Sequence, residues 1–268
     1  MGERPAVPLA SFPKSGNTWV RSFLEALAGK GKIPDRYRHH KPGLTLPYGG
    51  ERCLIYKTHD AALTNLLFGV ELRHVGIVHI VRHPLDVFLS WLNYINLEGR
   101  RLPRKDLSVG RGSFPFLRDF KVDRVEDYGA DEMACLLGAY MAMGRLAPHF
   151  SVVGSWQAHT RSFLHSDRRA PVHTFAYEHL SAHPEAAFEA LGGLFGFGPD
   201  KVRAAMAAAE TKTKTDGGFF WRKRAYGYRD ILSEEHIAWF GRVRGADLTL
   251  FEEALAVSAQ NLKPRQSI

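Results

Sequence analysis

The chain has 268 residues and 45% hydrophobic content, enough to fill one α/β core, so disorder is excluded as its main character. Lys and Arg number 36 against 28 Asp and Glu, a formal charge of +8, which favours an anionic partner, either nucleic acid or a phosphorylated small molecule. The two cysteines, Cys53 and Cys135, make no CxxC pair, which argues against a disulfide framework or a cysteine-rich zinc site and for two buried thiols.

No segment reaches the roughly 18 to 20 continuous apolar residues that cross a bilayer. Met1 to Pro8 lacks a basic region followed by an apolar run. The expectation is a soluble cytoplasmic protein with no membrane partner.

In chain order, Val7 to Phe12 reads as a short buried strand. Trp19, Val20, Phe23, Leu24 and Leu27 then recur at helical spacing from Asn17 onward, and Gly29 closes the run. Arg52 to Lys57 and Val75 to Val81 are further strands. Pro84 suits the first turn of the next helix, where its missing N–H costs nothing. Gly99 to Tyr128 shows no sustained period and reads as a long loop, a candidate lid. Helical spacing returns at Met133 to Leu146, Val172 to Tyr177 is a strand, and Pro184 to Phe195 is an amphipathic helix. Thr211 to Asp230 reads as a Gly-rich basic loop, and the chain is helical from Ser233. Strands alternating with helices predict a mostly parallel central sheet flanked by helices, in one domain spanning residues 1–268.

Four segments carry candidate chemistry. Ser11-Phe12-Pro13-Lys14-Ser15-Gly16-Asn17-Thr18-Trp19 lies between a strand and a helix, where backbone N–H groups can cradle a phosphate. By itself it fits that role or an ordinary strand-to-helix turn equally well. It fails the GxxxxGK[ST] pattern, because its lysine precedes the glycine. Tyr56-Lys57-Thr58-His59-Asp60 ends a predicted strand, and open α/β sheets bind ligands at strand carboxyl ends. A lone histidine among thirteen is more often structural than catalytic. In the third segment, Arg82 to Ser90, a guanidinium and a hydroxyl two helical turns on can converge on one phosphate. The fourth, Phe219 to Arg229, holds adjacent cations and otherwise reads as a solvated basic face.

Together these segments resemble the cytosolic-type PAPS-dependent sulfotransferases (PAPS, 3′-phosphoadenosine-5′-phosphosulfate). The first is similar to the PKSGTTW loop that holds the 5′-phosphosulfate, with Asn17 in place of the first threonine. Lys57-Thr58-His59 matches the KTH motif, whose histidine is the general base. Arg82 to Ser90 matches RNPxDxxxS, with His83 in the asparagine position, and Phe220, Arg222, Lys223 and Gly227 match FxRKGxxGxW. There Arg224 replaces a glycine and Tyr228 a tryptophan. Gly154-Ser155-Trp156 with His159, Tyr177-Glu178 and Thr211 are looser matches. The motifs run in family order from residue 11 to 229.

The resemblance implies a P-loop-like sulfotransferase fold and an in-line transfer of a sulfuryl group from PAPS to a hydroxyl or amine of a small-molecule acceptor, leaving PAP. It implies that His59 is the base and that Lys14 and Lys57 stabilise charge on the transferring and leaving groups. Ser15, Gly16, Asn17, Thr18 and Trp19 are implied to hold the 5′ end, and Arg82, Ser90, Arg222 and Lys223 the 3′-phosphate. Tyr177, Thr211, Phe220 and Arg224 complete the nucleotide site. No metal and no nucleic acid are implied. The alternatives are a P-loop-like nucleotide kinase, disfavoured by the missing Walker lysine, and a basic nucleic-acid-binding protein, for which no zinc finger, RRM motif or basic helix is present. The KxxxTVxxxE dimerisation motif of many family members is absent, which leaves oligomeric state open, and no segment names the acceptor.

Overall fold

The structure, a computed structural model, describes residues 3–34, 43–67, 69–101, 124–144, 153–215 and 224–263. The chain begins with β1 (Arg4–Ser11), α1 (Asn17–Ala28), β2 (Thr45–Tyr48) and β3 (Glu51–Thr58). Then come β4 (Leu66–Leu67), β5 (Val70–His74), β6 (Ile77–Val81) and α2 (Pro84–Arg101). After a 3₁₀ turn at Val125–Asp127 follow α3 (Ala130–Met143), α4 (Trp156–Leu164), β7 (Val172–Ala176), α5 (Tyr177–Ala182) and α6 (Pro184–Leu194). The last elements are α7 (Pro199–Thr215), a 3₁₀ turn at Gly227–Asp230 and α8 (Glu234–Asn261).

β1 is the hub of the sheet. It pairs in parallel with β3 along Ala6 to Ala10, with β5 along Arg4 to Ala6, and with β6 along Leu9 to Ser11. β7 extends the parallel set from β6, and among the described residues β2 and β4 alone join antiparallel, at the edges. The strand expected at Val75 to Val81 is β6, which starts at Ile77; β5, not expected from the sequence, leaves β1 at His74, and a break separates the two. Gly76 lies in the break, where a Cβ would fall 2.4 Å from the Tyr48 ring.

Period-two burial divides the strands between two helical layers. Val7, Leu9, Val78, Ile80 and Phe175 pack against Val20, Phe23 and Leu24 of α1, Phe188 and Leu191 of α6, and Val202 of α7. On the opposite face Val81 and Ala176 meet Phe88 and Leu92 of α2, Leu137 of α3, Trp156 of α4, and Phe240 and Phe251 of α8. Each buried Leu or Phe side chain contributes about 1.5–3 kcal/mol of transfer free energy. These layers therefore fix the sheet edge on which the motifs sit.

Several expectations are corrected. The helix from Pro84 runs to Arg101, past the expected loop start at Gly99, while 102–123 of the candidate lid lie outside the described residues. Thr211 is not in an open loop but in the penultimate turn of α7, its hydroxyl bonded to the Ala207 carbonyl at 3.0 Å. Its alanine-rich approach is as good a helix former as any, and helix propensity carries through the threonines. Cys53 is buried as expected, but Cys135 is exposed on α3. Among the described residues no helix is long and apolar enough to cross a membrane.

Candidate functional site

Four parallel strands end at one edge of the sheet. Register aligns Ala10 with Thr58, Ser11 with Ile80, and Val81 with Ala176. The residues that follow these ends are Lys14 after β1, His59 after β3, Arg82 after β6 and Tyr177 after β7. The carboxyl edge of a parallel sheet is where crossover loops leave room for a ligand.

The loop after β1 is built for close approach. Lys14 adopts φ of +70°, a left-handed conformation that costs a side-chain-bearing residue strain, and such strain clusters at functional sites. Gly16 caps α1 at φ of +95°, and a Cβ there would fall 2.5 Å from Cδ2 of Tyr177. Only glycine satisfies both the turn and the ring. The positive end of the α1 dipole opens onto this loop. The fully buried Ser15 Oγ has no hydrogen-bond partner among the described residues. Asn17 is buried and its amide nitrogen donates to Ser11 Oγ at 3.1 Å and to the Leu9 carbonyl at 3.4 Å, which braces β1, while its Oδ1 has no hydrogen-bond partner among the described residues. Thr18 is half-buried, and Trp19 packs edge-on against Tyr177 and Phe188. The Lys14 ammonium rests 4.5 Å above the ring of Tyr94.

His59 lies beside this loop. Its Nδ1 is 2.7 Å from the Ser11 carbonyl oxygen, which can only accept, so Nδ1 carries the proton and Nε2 is the basic nitrogen. Lys57, half-buried in β3, pairs with Leu9 of β1.

Arg82 ties the two halves together. It is nearly buried; Nη1 donates to the Lys14 carbonyl and Nη2 to the Arg224 carbonyl, each at 3.4 Å. Its guanidinium stacks 4.3 Å over the Tyr177 ring, and Nε, 4.0 Å from Asp86, has no hydrogen-bond partner among the described residues. Trp156 Nε1 donates to the Arg82 carbonyl at 3.1 Å, and Glu178 Oε1 accepts the His83 N–H at 2.9 Å. Both therefore hold the turn that aims the arginine. Ser90 is half-buried on α2, with Asp86 and Tyr94 one turn to either side.

Asp86 anchors the C-terminal segment: its oxygens accept the N–H groups of Tyr226 at 2.8 Å and Tyr228 at 2.9 Å. Tyr228 stacks on His83 with centroids 4.4 Å apart. The side chain of Arg224 turns outward to Asp230, at 2.8 Å, so it is the carbonyl at this position that reaches into the site. Phe220, Arg222 and Lys223 lie outside the described residues.

The structure thus brings Lys14, Ser15, Gly16, His59, Arg82, Tyr177 and the Arg224 backbone around one edge. Sequence reasoning missed Asp86 and the carboxyl of Glu178 as organisers. Both stand inside quoted motifs, but nothing in a linear pattern marks an acid that accepts from distant backbone.

No family model matches the sequence, and no curated protein is similar to it. Among solved structures, the mouse sulfotransferase SULT7A1 complexed with PAP is similar at a TM-score of 0.57 and 15% identity, over 95% of this chain and 90% of that one. The chain has the sulfotransferase fold. Because sequence identity is so low, the likeness lies in the α/β architecture, and the chemistry must be argued from the residues at the sheet edge.

Proposed function

We propose that the chain transfers a sulfuryl group from PAPS to a hydroxyl or amine of a small-molecule acceptor. The observation that carries this reading is the meeting of Lys14 and Arg82: two cation-bearing turns, far apart in sequence, share one hydrogen bond at one carboxyl edge of the sheet. A doubly phosphorylated adenosine needs such a pair of anion sites at fixed separation. The solved relative bound to PAP supports the same nucleotide class.

In this reading the Gly16 turn and the buried Ser15 hydroxyl receive the 5′ end, and Lys14 swings from Tyr94 to stabilise charge on the leaving phosphate oxygen. Arg82 and Ser90, with Arg222 and Lys223, receive the 3′-phosphate, and Tyr177 lies against the nucleotide. His59 Nε2 takes the acceptor proton, its tautomer held by the Ser11 carbonyl. Lys57 assists at the transferring group.

Calorimetric titration with PAP against ATP plus magnesium tests the nucleotide assignment. Binding of PAP in preference to ATP is expected; preference for ATP overturns it and favours a kinase. A sulfation screen over phenols, sugars, lipids and amine metabolites, read as mass gain, identifies the acceptor.

A further inference from the structure

Glu178 is the second residue of α5, beside the candidate 3′-phosphate turn, and it is an unusual neighbour for an anion site. Its residue is 2% exposed, Oε1 accepts the His83 N–H, and Oε2 has no hydrogen-bond partner among the described residues. The groups that face it are Arg82 and His83 from the β6–α2 turn, Asp86 from α2, Tyr177 on its own helix and Tyr226 from the C-terminal segment. His83 is uncharged, so the full charges among these are Arg82 against two carboxyls. If both were ionised, the pocket floor would be net negative before a phosphate arrived. Removing a carboxylate from water without full pairing costs several kcal/mol, and a neighbouring dianion adds repulsion. The neutral acid avoids both.

Resting on the proposed nucleotide site, we infer that Glu178 takes up a proton from solvent when a 3′-phosphorylated nucleotide binds, so that Arg82 is left to face the phosphate. No bond other than O–H forms, and the proton comes from buffer through water. Burial already holds the Glu178 carboxyl up at about 7, with Asp86 adding to the rise and Arg82 opposing it. At neutral pH the group is therefore poised to respond to a further negative charge. Proton uptake makes PAP affinity fall by up to tenfold per pH unit above the titration of the free protein.

The test is PAP affinity of wild type and Glu178→Gln at pH 6.5, 7.5 and 8.5, by calorimetry. The amide keeps an oxygen for the His83 N–H and stays neutral. The expected result is a wild-type affinity that weakens across the series relative to the variant, with Glu178→Gln binding PAP more tightly than wild type at pH 8.5. A purely structural role for Glu178 does not predict a gain. Titration of PAP itself is common to both proteins and cancels in the comparison. Parallel pH profiles for the two proteins would overturn the inference while leaving the nucleotide site intact. If folded wild type fails to bind PAP at any pH, the site reading falls and the inference with it. Should the variant fail to fold, wild type alone decides: PAP binding in Tris and in HEPES at pH 7.5 must show net proton uptake and an infrared gain in protonated carboxylic-acid absorption. Their absence would overturn the inference.

Discussion

Nη1 of Arg82 donates to the backbone carbonyl of Lys14 across 3.4 Å, joining turns that stand 68 residues apart in sequence. In the proposed reading, the contact makes the arginine a shared wall of the 5′ and 3′ anion sites. Arg82→Ala is expected to weaken PAP binding about 10- to 100-fold, the range for removing a charge-assisted contact worth about 1.5–3 kcal/mol. Arg82→Lys is expected to recover little, since a point charge cannot bridge two carbonyls and stack on Tyr177 at once. Calorimetry with PAP reads both variants. Wild-type affinity in Arg82→Ala would remove Arg82 from the nucleotide site.

The parallel sheet was legible because its strands are short apolar runs and its helices amphipathic, with Pro84 and Gly29 marking ends by their own backbone chemistry. The two motif turns were legible because their small, donor-bearing and cationic residues resemble a family pattern in sequence. What was not legible depends on tertiary partners. The break between β5 and β6 is set by which half of β1 each strand pairs with, and the Asp86 and Glu178 contacts join residues 95 to 142 positions apart. Thr211 was misplaced for a local reason: a run of threonines and lysines looks like loop but continues a helix held against α1.

Gly16 couples the turn between β1 and α1 to the ring of Tyr177. Gly16→Ala forces a left-handed alanine, which costs about 1–2 kcal/mol, and also pushes a methyl into the Tyr177 ring. The thermal midpoint is expected to fall by at least about 2 °C on the scale of a chain this long. Because Tyr177 carries Arg82 on its face, PAP affinity should fall as well. Differential scanning calorimetry with and without PAP checks both. A variant with unchanged midpoint and unchanged PAP shift would show that the turn tolerates a side chain.

For His59 the expectation separates chemistry from binding. Nδ1 is committed to the Ser11 carbonyl, so in the proposed reading Nε2 is the nitrogen that takes the proton. His59→Ala should reduce turnover about 10²- to 10⁴-fold, the usual worth of a positioned general base, with PAP affinity within about threefold of wild type. Single-turnover sulfation of an acceptor found in the screen, beside a PAP titration, reads the two quantities independently. Near-normal turnover would assign proton removal elsewhere.

The pH dependence of stability has a predictable sign. His79, His83 and His159 are buried and uncharged: burial, with Arg168 adding to it at His79 and Arg229 and Arg82 at His83, pushes those two down to about 3, and His159 falls well below its ordinary value. In the unfolded chain each titrates near 6.5, so below that pH the unfolded state binds protons that the folded state refuses. Their contribution is complete above about pH 6.5 and is lost as pH falls toward 3. Glu178 acts in the opposite direction, since its folded value of about 7 lies above the unfolded 4.5 and the folded state binds the extra proton between them. Near pH 5.5 these three imidazoles against this one carboxyl contribute a net of about two protons, roughly 2.5 kcal/mol per pH unit. His74 and His179, also pushed down by burial, add to that slope, and Asp86 and Asp247, pushed up by burial, oppose it. His79→Phe keeps an aromatic ring against Phe163, on which His79 stacks at 4.7 Å, and should lower that slope by about one proton. Urea unfolding at pH 7.5, 6.5, 5.5 and 4.5 measures it. A wild-type slope near zero, or one that His79→Phe leaves unchanged, would mean these histidines accept protons in the folded state.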